Sequence, residues 1–168
     1  MVRHEINIYI EPEFRSSIKT AWLKAMVVKV LDALELSAQS EIGLVITNDN
    51  EIQRLNKLYR DIDKPTDVLS FAQLPNKVDD VKGSMFIAPP DGFSHLGEII
   101  ISFPQAVIQA NHQKHDVKDE LMFLIIHAVL HLSGYDHENS ASEEGFMRAK
   151  EAAIFAKLTT WRVRNKKD

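Results

Sequence analysis

Apolar and polar residues alternate along residues 4–10, with Ile6, Ile8 and Ile10 on one side. A two-residue period predicts a strand with one buried face. The period changes over 15–36. There Ile18, Trp22, Met26, Val30 and Leu34 recur at every fourth residue, and Leu23, Val27 and Leu31 widen the same face. That pattern predicts an amphipathic helix. A short β-branched run at 42–47 predicts a second strand. Residues 48–60 return to the helical period, with Ile52, Leu55, Leu58 and Tyr59 expected inward and Asn48 or Asn50 as the N-cap. Pro65 cannot continue a helix interior. Thr66 and Asp67 suit a turn, and Val68–Phe71 suits a strand.

The second half of the chain is patterned differently. Residues 72–95 are loop-rich, with an edge strand expected at SMFIAP. GEIIISF, 97–103, is continuously apolar and reads as a central strand. Ser102 and Pro104 open a helix through about His115. Residues 117–132 form a helix that is apolar on almost every face, the signature of a buried central element. Ser140 and Glu143 stand at capping-box spacing and open a last helix, to about Trp161. On that helix Met147, Ile154, Leu158 and Trp161 form a core-packing stripe. These elements predict one α/β (α+β) domain over 1–168, with a small mixed sheet packed against several helices and a basic tail at about 162–168.

Composition narrows the chemistry. The chain has 168 residues, is 45% hydrophobic and 26% charged, and contains no cysteine. These are globular values, and any metal must be held by nitrogen and oxygen. No apolar run approaches the roughly 20 residues of a membrane span, so a cytoplasmic protein is expected. The net charge of −4 argues against indiscriminate nucleic-acid binding but leaves room for a local basic surface.

Three of the seven histidines fall within HAVLHLSGYDH. His127 and His131 are one helical turn apart on one face, close enough to share an ion. Gly134 allows the helix to stop and the chain to turn. His137 then returns as a third nitrogen. Three imidazoles suit zinc or a similar divalent ion, one per chain, with a position left open for water. The same spacing occurs in the metzincin proteases, H-E-x-x-H-x-x-G-x-x-H, but Ala128 stands in the slot of their general base. Peptide hydrolysis is therefore disfavoured.

HAVLHLSGYDH, together with RDIDKPTDVLSF upstream and LGEIIIS between, resembles the YbeY family of bacterial rRNA-maturation endoribonucleases. The match runs from Leu55 to about Met147. It departs from the family pattern at Ala128, usually glycine, and at Glu98, usually aspartate. The resemblance implies a zinc-dependent, single-strand-specific endoribonuclease acting in 16S rRNA 3′-end maturation and ribosome quality control. Its partners would be single-stranded RNA and the ribosome or a ribosomal protein. It implies His127, His131 and His137 as metal ligands, with His127 at the catalytic centre, and Arg60 as a functional arginine. An arginine can neutralise a scissile phosphate with a planar fork of donors.

Other residues carry two readings each. Lys57 and Lys64 are candidate RNA contacts. Thr66, Asp67 and Ser70 either line the cleft or make the turn. Asp136 either orients a ligating imidazole or caps the turn, and Glu98 is a further candidate to orient one. His112 and His115 read as a polar helix end, and His4 and His95 carry no pattern. The basic residues Arg162, Arg164, Lys166 and Lys167 either touch rRNA or are solvated. Two other classes stay open: a different metal-dependent hydrolase, peptidase or phosphoesterase, and a non-catalytic ribosome-associated metal-binding protein.

Overall fold

A computed structural model of the chain describes residues 3–36, 38–73, 93–134 and 141–165. The expected edge strand at SMFIAP, the capping Ser140, His137, Asp136, Lys166 and Lys167 lie outside the described residues, as do the side chains of Trp161, Arg162 and Arg164.

The strands are β1 (Glu5–Ile10), β2 (Ser40–Thr47), β3 (Val68–Ala72) and β4 (Ser94–Ser102). They form one sheet in the order β1-β2-β4-β3. β1 pairs with β2, and β2 with β4, in parallel; β3 is antiparallel to β4. The expected mixed sheet is present, with β4 in its interior. Parallel neighbours need crossovers, and α1 (Thr20–Ala33) supplies the one between β1 and β2. α2 (Asp49–Arg60) follows β2; α3 (Phe103–Gln113), α4 (Val117–Leu132) and α5 (Ala141–Asn165) follow β4.

The two sheet faces are unequal. Ile6, Ile10, Ile42, Leu44, Ile46, Ile99 and Ile101 join α1, α3, α4 and α5 in the main core. The other face carries a small cluster of Ile52, Leu69 and Ile100, with Val45, Leu55 and Phe71 against it. α2 covers that face. Its N-terminus follows the sequence expectation: the Asn48 side chain accepts from the Glu51 backbone N–H.

Three expectations need correction. The first long helix begins at Thr20, not at residue 15, because a 3₁₀ turn at Pro12–Phe14 precedes it and Ser17 and Ile18 bond back to the Phe14 carbonyl. Ile18 is still buried, so its place in the periodic pattern reflected core packing from a turn. The same helix stops at Ala33, with Glu35 at positive φ. On α2, Ile52 is inward and Leu55 half-buried, but Leu58 is 62% and Tyr59 64% exposed. Asn56 takes the inward position and donates to the Lys64 carbonyl at 2.9 Å. The last helix runs to Asn165, so the basic segment begins helical and is not a tail from residue 162. Met147, Ile154 and Leu158 are buried as the stripe requires.

Candidate metal centre

α4 is the most buried helix of the fold. From Glu120 to Leu132 every residue is buried except Phe123, His127 and His131. These three are successive fourth residues, so the opening in the helix surface is one stripe. The sequence allows this because the remaining positions from Leu121 onward are Leu, Met, Ile, Ala and Val, which can face a core on all sides. The helix begins with Asp119 and Glu120 in its first turn, and the Glu120 carboxylate meets His115 Nε2 at 2.8 Å. His115 is thereby committed to the helix start, as expected of a polar helix end.

The two imidazoles on the stripe converge. His127 Nε2 and His131 Nε2 are 3.1 Å apart, with ring planes at 72°. Two nitrogens on one tetrahedral zinc, each at 2.0–2.1 Å, stand roughly 3.3 Å apart. The pair is thus already close to the separation that a shared ion imposes. Nitrogen-only donors and a partly exposed setting also fit a catalytic divalent ion. His137, the third ligand expected from the sequence, lies outside the described residues, and among the described residues no three such side chains gather.

His127 is also held from behind. Its Nδ1 lies 2.6 Å from Glu151 Oε1, on α5, and Glu151 is buried. The sequence offers Asp136 and Glu98 as candidates for this orienting role and not Glu151; Asp136 lies outside the described residues. A signal was present: Glu151 falls among Met147, Ile154 and Leu158, on the apolar stripe of α5. A carboxylate on a core stripe needs a partner. Glu98 cannot serve from its strand. It pairs in register with Phe71, which packs on the α2 face of the sheet, and is exposed there.

The helix ends as its glycine predicts. The Gly134 N–H donates to the His131 carbonyl, and Gly134 has φ of +98°. Ser133 Oγ donates to the Val129 carbonyl at 2.8 Å. Ala128 is wholly buried in the main core. Its side chain faces away from the stripe, and a carboxylate at that position would enter the core.

The remaining candidates are dispersed. Arg60 is the last residue of α2 and exposed; among the described residues no hydrogen bond or ion pair holds it or links it to the histidines. Lys57 reaches Asp63 at 3.6 Å, and Lys64 is exposed. Asp67 is a turn and bridging residue. It accepts from the Val68 N–H at 2.8 Å, from Thr66 Oγ1 at 3.3 Å and from Gln109 Nε2 at 3.1 Å. Thr66 and Asp67 are therefore engaged in fixing the start of β3. Ser70 pairs in register with Ile99, on the face that packs against α4. His4 and His95, which carried no pattern, are tied to Asp32 and Glu41.

Among the described residues no helix is long and apolar enough to cross a membrane. Comparison with known proteins agrees with the motifs. The family model described as Endoribonuclease YbeY matches residues 8–159. A protein named Endoribonuclease YbeY from Dehalococcoides mccartyi (strain CBDB1) is 46% identical over 145 residues, covering 85% of this chain and 87% of the relative. One of the same name from Roseiflexus sp. (strain RS-1) is 40% identical over 153 residues, covering 91% and 92%. The solution structure of TM1509 from Thermotoga maritima shares the fold, with a TM-score of 0.59 at 24% identity, over 97% of this chain and 95% of that one. With its histidine stripe, its PTDVLSF turn and a match spanning nearly all of its folded elements, this chain belongs to the endoribonuclease YbeY family.

Proposed function

We propose that this protein is a zinc-dependent endoribonuclease that cuts single-stranded RNA, matures the 3′ end of 16S rRNA and acts in ribosome quality control in the cytoplasm. The observation that carries the reading is the stripe of α4, where two imidazole nitrogens converge to 3.1 Å on the partly exposed side of an otherwise buried helix. Family membership supports the RNA substrate, and the ribosomal setting is the one the motif resemblance implies.

His127, His131 and His137 would hold the ion. When bound, a divalent ion at such a site polarises a phosphate oxygen and makes a bound water acidic. The chain's own residues do the rest. His127 and His131 present lone pairs at a fixed separation, because α4 is packed on every other side. Arg60, exposed and without a partner among the described residues, is available to neutralise phosphate charge. Phe123 is 42% exposed one turn before His127, with its ring nearly parallel to the imidazole. An apolar ring beside the reacting phosphate gives an unpaired base a surface to stack on, and a paired base is already stacked. With Ala128 in the slot of the protease glutamate, the motif lacks the metzincin general base, which separates this reading from a peptidase.

The test is bound-metal content by mass spectrometry together with cleavage of a labelled single-stranded RNA, in wild type and His131→Ala. About one zinc per chain and cutting in wild type, both lost in the variant, is the expected result. Wild type prepared without chelators that carries no metal would sink the reading. Cutting retained after metal loss would assign it to a metal-independent reaction.

A further inference from the structure

Glu151 is the one buried acidic side chain of α5, and its environment is unfavourable for a charge. It is 8% exposed, on the stripe that buries Met147, Ile154 and Leu158. Among the described residues its carboxylate meets one polar partner, His127 Nδ1, at 2.6 Å. Burying a carboxylate against a neutral ring returns little of the desolvation cost. The arrangement becomes favourable when the imidazole gains positive character, as it does when its other nitrogen donates to a cation.

We propose that Glu151 is a positioning residue for the metal centre. It accepts the Nδ1 proton of His127, fixes the tautomer that leaves Nε2 as the donor to the ion, and sets the rotation of the ring on the α4 stripe. This rests on the metal reading of the histidine pair. The chemical logic is that of a carboxylate–histidine–metal arrangement: the hydrogen bond orients the ring and removes the alternative tautomer. It also explains the docking of α5. α5 supplies no metal ligand within the described residues, yet it buries a charge beneath the first histidine, so the fixing of α5 against α4 and the readiness of the metal site are coupled. The separation of the two nitrogens on α4 comes from the helix; the direction of the His127 lone pair comes from α5.

The experiment uses the full-length protein loaded with Zn²⁺, as wild type, Glu151→Gln and Glu151→Ala. Two quantities are read: zinc affinity by chelator competition, and the His127 Nδ1–H proton resonance by nitrogen-edited NMR. Wild type is expected to show a protected, strongly downfield Nδ1–H. Glu151→Ala should lose that resonance and bind zinc about 10- to 100-fold more weakly. Glu151→Gln keeps an acceptor of similar shape, so it should retain a weaker Nδ1–H signal and lose less affinity than the alanine variant. If Glu151→Ala does not fold, the glutamine variant decides alone: an unchanged resonance position and unchanged affinity overturn the proposal. Equal zinc affinity across folded variants, or metal bound through Nδ1 in wild type, also overturns it. Neither readout involves RNA, so failure of the nuclease reading leaves this result standing, and the reverse holds too.

Discussion

At Gly97 there is no space for a side chain. A Cβ built there would lie 2.0 Å from the Phe71 carbonyl oxygen, and φ is +134°. The β2–β4 register shifts here, with Ile42 pairing to Gly97 while Glu41 pairs to His95. Gly134 is also at positive φ, but a Cβ there would meet nothing within 4 Å. The two glycines therefore separate a steric demand from a conformational one. Gly134→Ala is expected to cost about 1–3 kcal/mol of backbone strain. Gly97→Ala adds a clash with the backbone of β3 and should cost at least 3 kcal/mol, roughly the upper end of an overpacking penalty. Urea midpoints measure both, and equal losses would refute the distinction. At this scale the sequence was legible where chemistry and spacing coincide. His127, His131 and Gly134 follow from helical geometry within a single segment. Glu151 did not emerge, because its partner lies on another helix and no local period links them. It was detectable as a charge on an apolar stripe, a conflict that only a tertiary partner resolves.

The helices differ in how much of their surface finds cover. α4 is covered almost all round, and its continuous apolar sequence announced that. α2 is the opposite case. Its pattern pointed Ile52, Leu55, Leu58 and Tyr59 inward, yet among the described residues it is the one helix packed on that face of the sheet, and only part of its length meets β3 and β4. Ile52 reaches Leu69 and Ile100, while Tyr59, 64% exposed, meets the edge of Phe71 at a centroid distance of 5.1 Å. Periodicity identifies the face that can be buried; the extent of the opposing layer decides how much of it is. Ile52→Ala should accordingly destabilise by about 2–4 kcal/mol. Leu58→Ala should change stability by less than about 0.5 kcal/mol. Chemical denaturation of the two variants checks this, and a large loss at Leu58 would show that α2 is covered by something more. α4 offers a parallel contrast. Phe123→Ala removes an exposed ring, so melting should stay near wild type while affinity for single-stranded RNA falls about tenfold, the value of one stacked base. Duplex RNA affinity should be unaffected by the same change.

For the molecule as a whole, the net charge of −4 means that RNA is attracted by a local surface and not by the protein's overall field. α2 shows how local that surface is. Arg54 is bound to Glu51 through two hydrogen bonds, and this contact holds the Glu51 carboxyl below its usual range, so Arg54 stands beside an opposing charge. Lys57 is partly offset by Asp63. Arg60 has no such partner among the described residues, and Lys64 is exposed beyond it. Each phosphate neutralised on a single strand contributes a slope of about −0.7 in log affinity against log salt. With Lys57, Arg60 and Lys64 engaged, the slope for a short single-stranded RNA should be near −2, shallow for a nucleic-acid-binding protein. Arg60→Ala should reduce its magnitude by about 0.7 and lower the cleavage rate on the order of 10²-fold, as removal of a charge-stabilising donor does, with zinc content unchanged. Arg54→Ala should change slope and rate much less than Arg60→Ala, because Glu51 is paired with Arg54 and opposes a phosphate there. Equal effects from the two arginines would mean that the phosphate path runs along the whole of α2. No effect from Arg60 would remove it from the site and leave the α4 stripe to bind and cut RNA with cations from elsewhere in the chain.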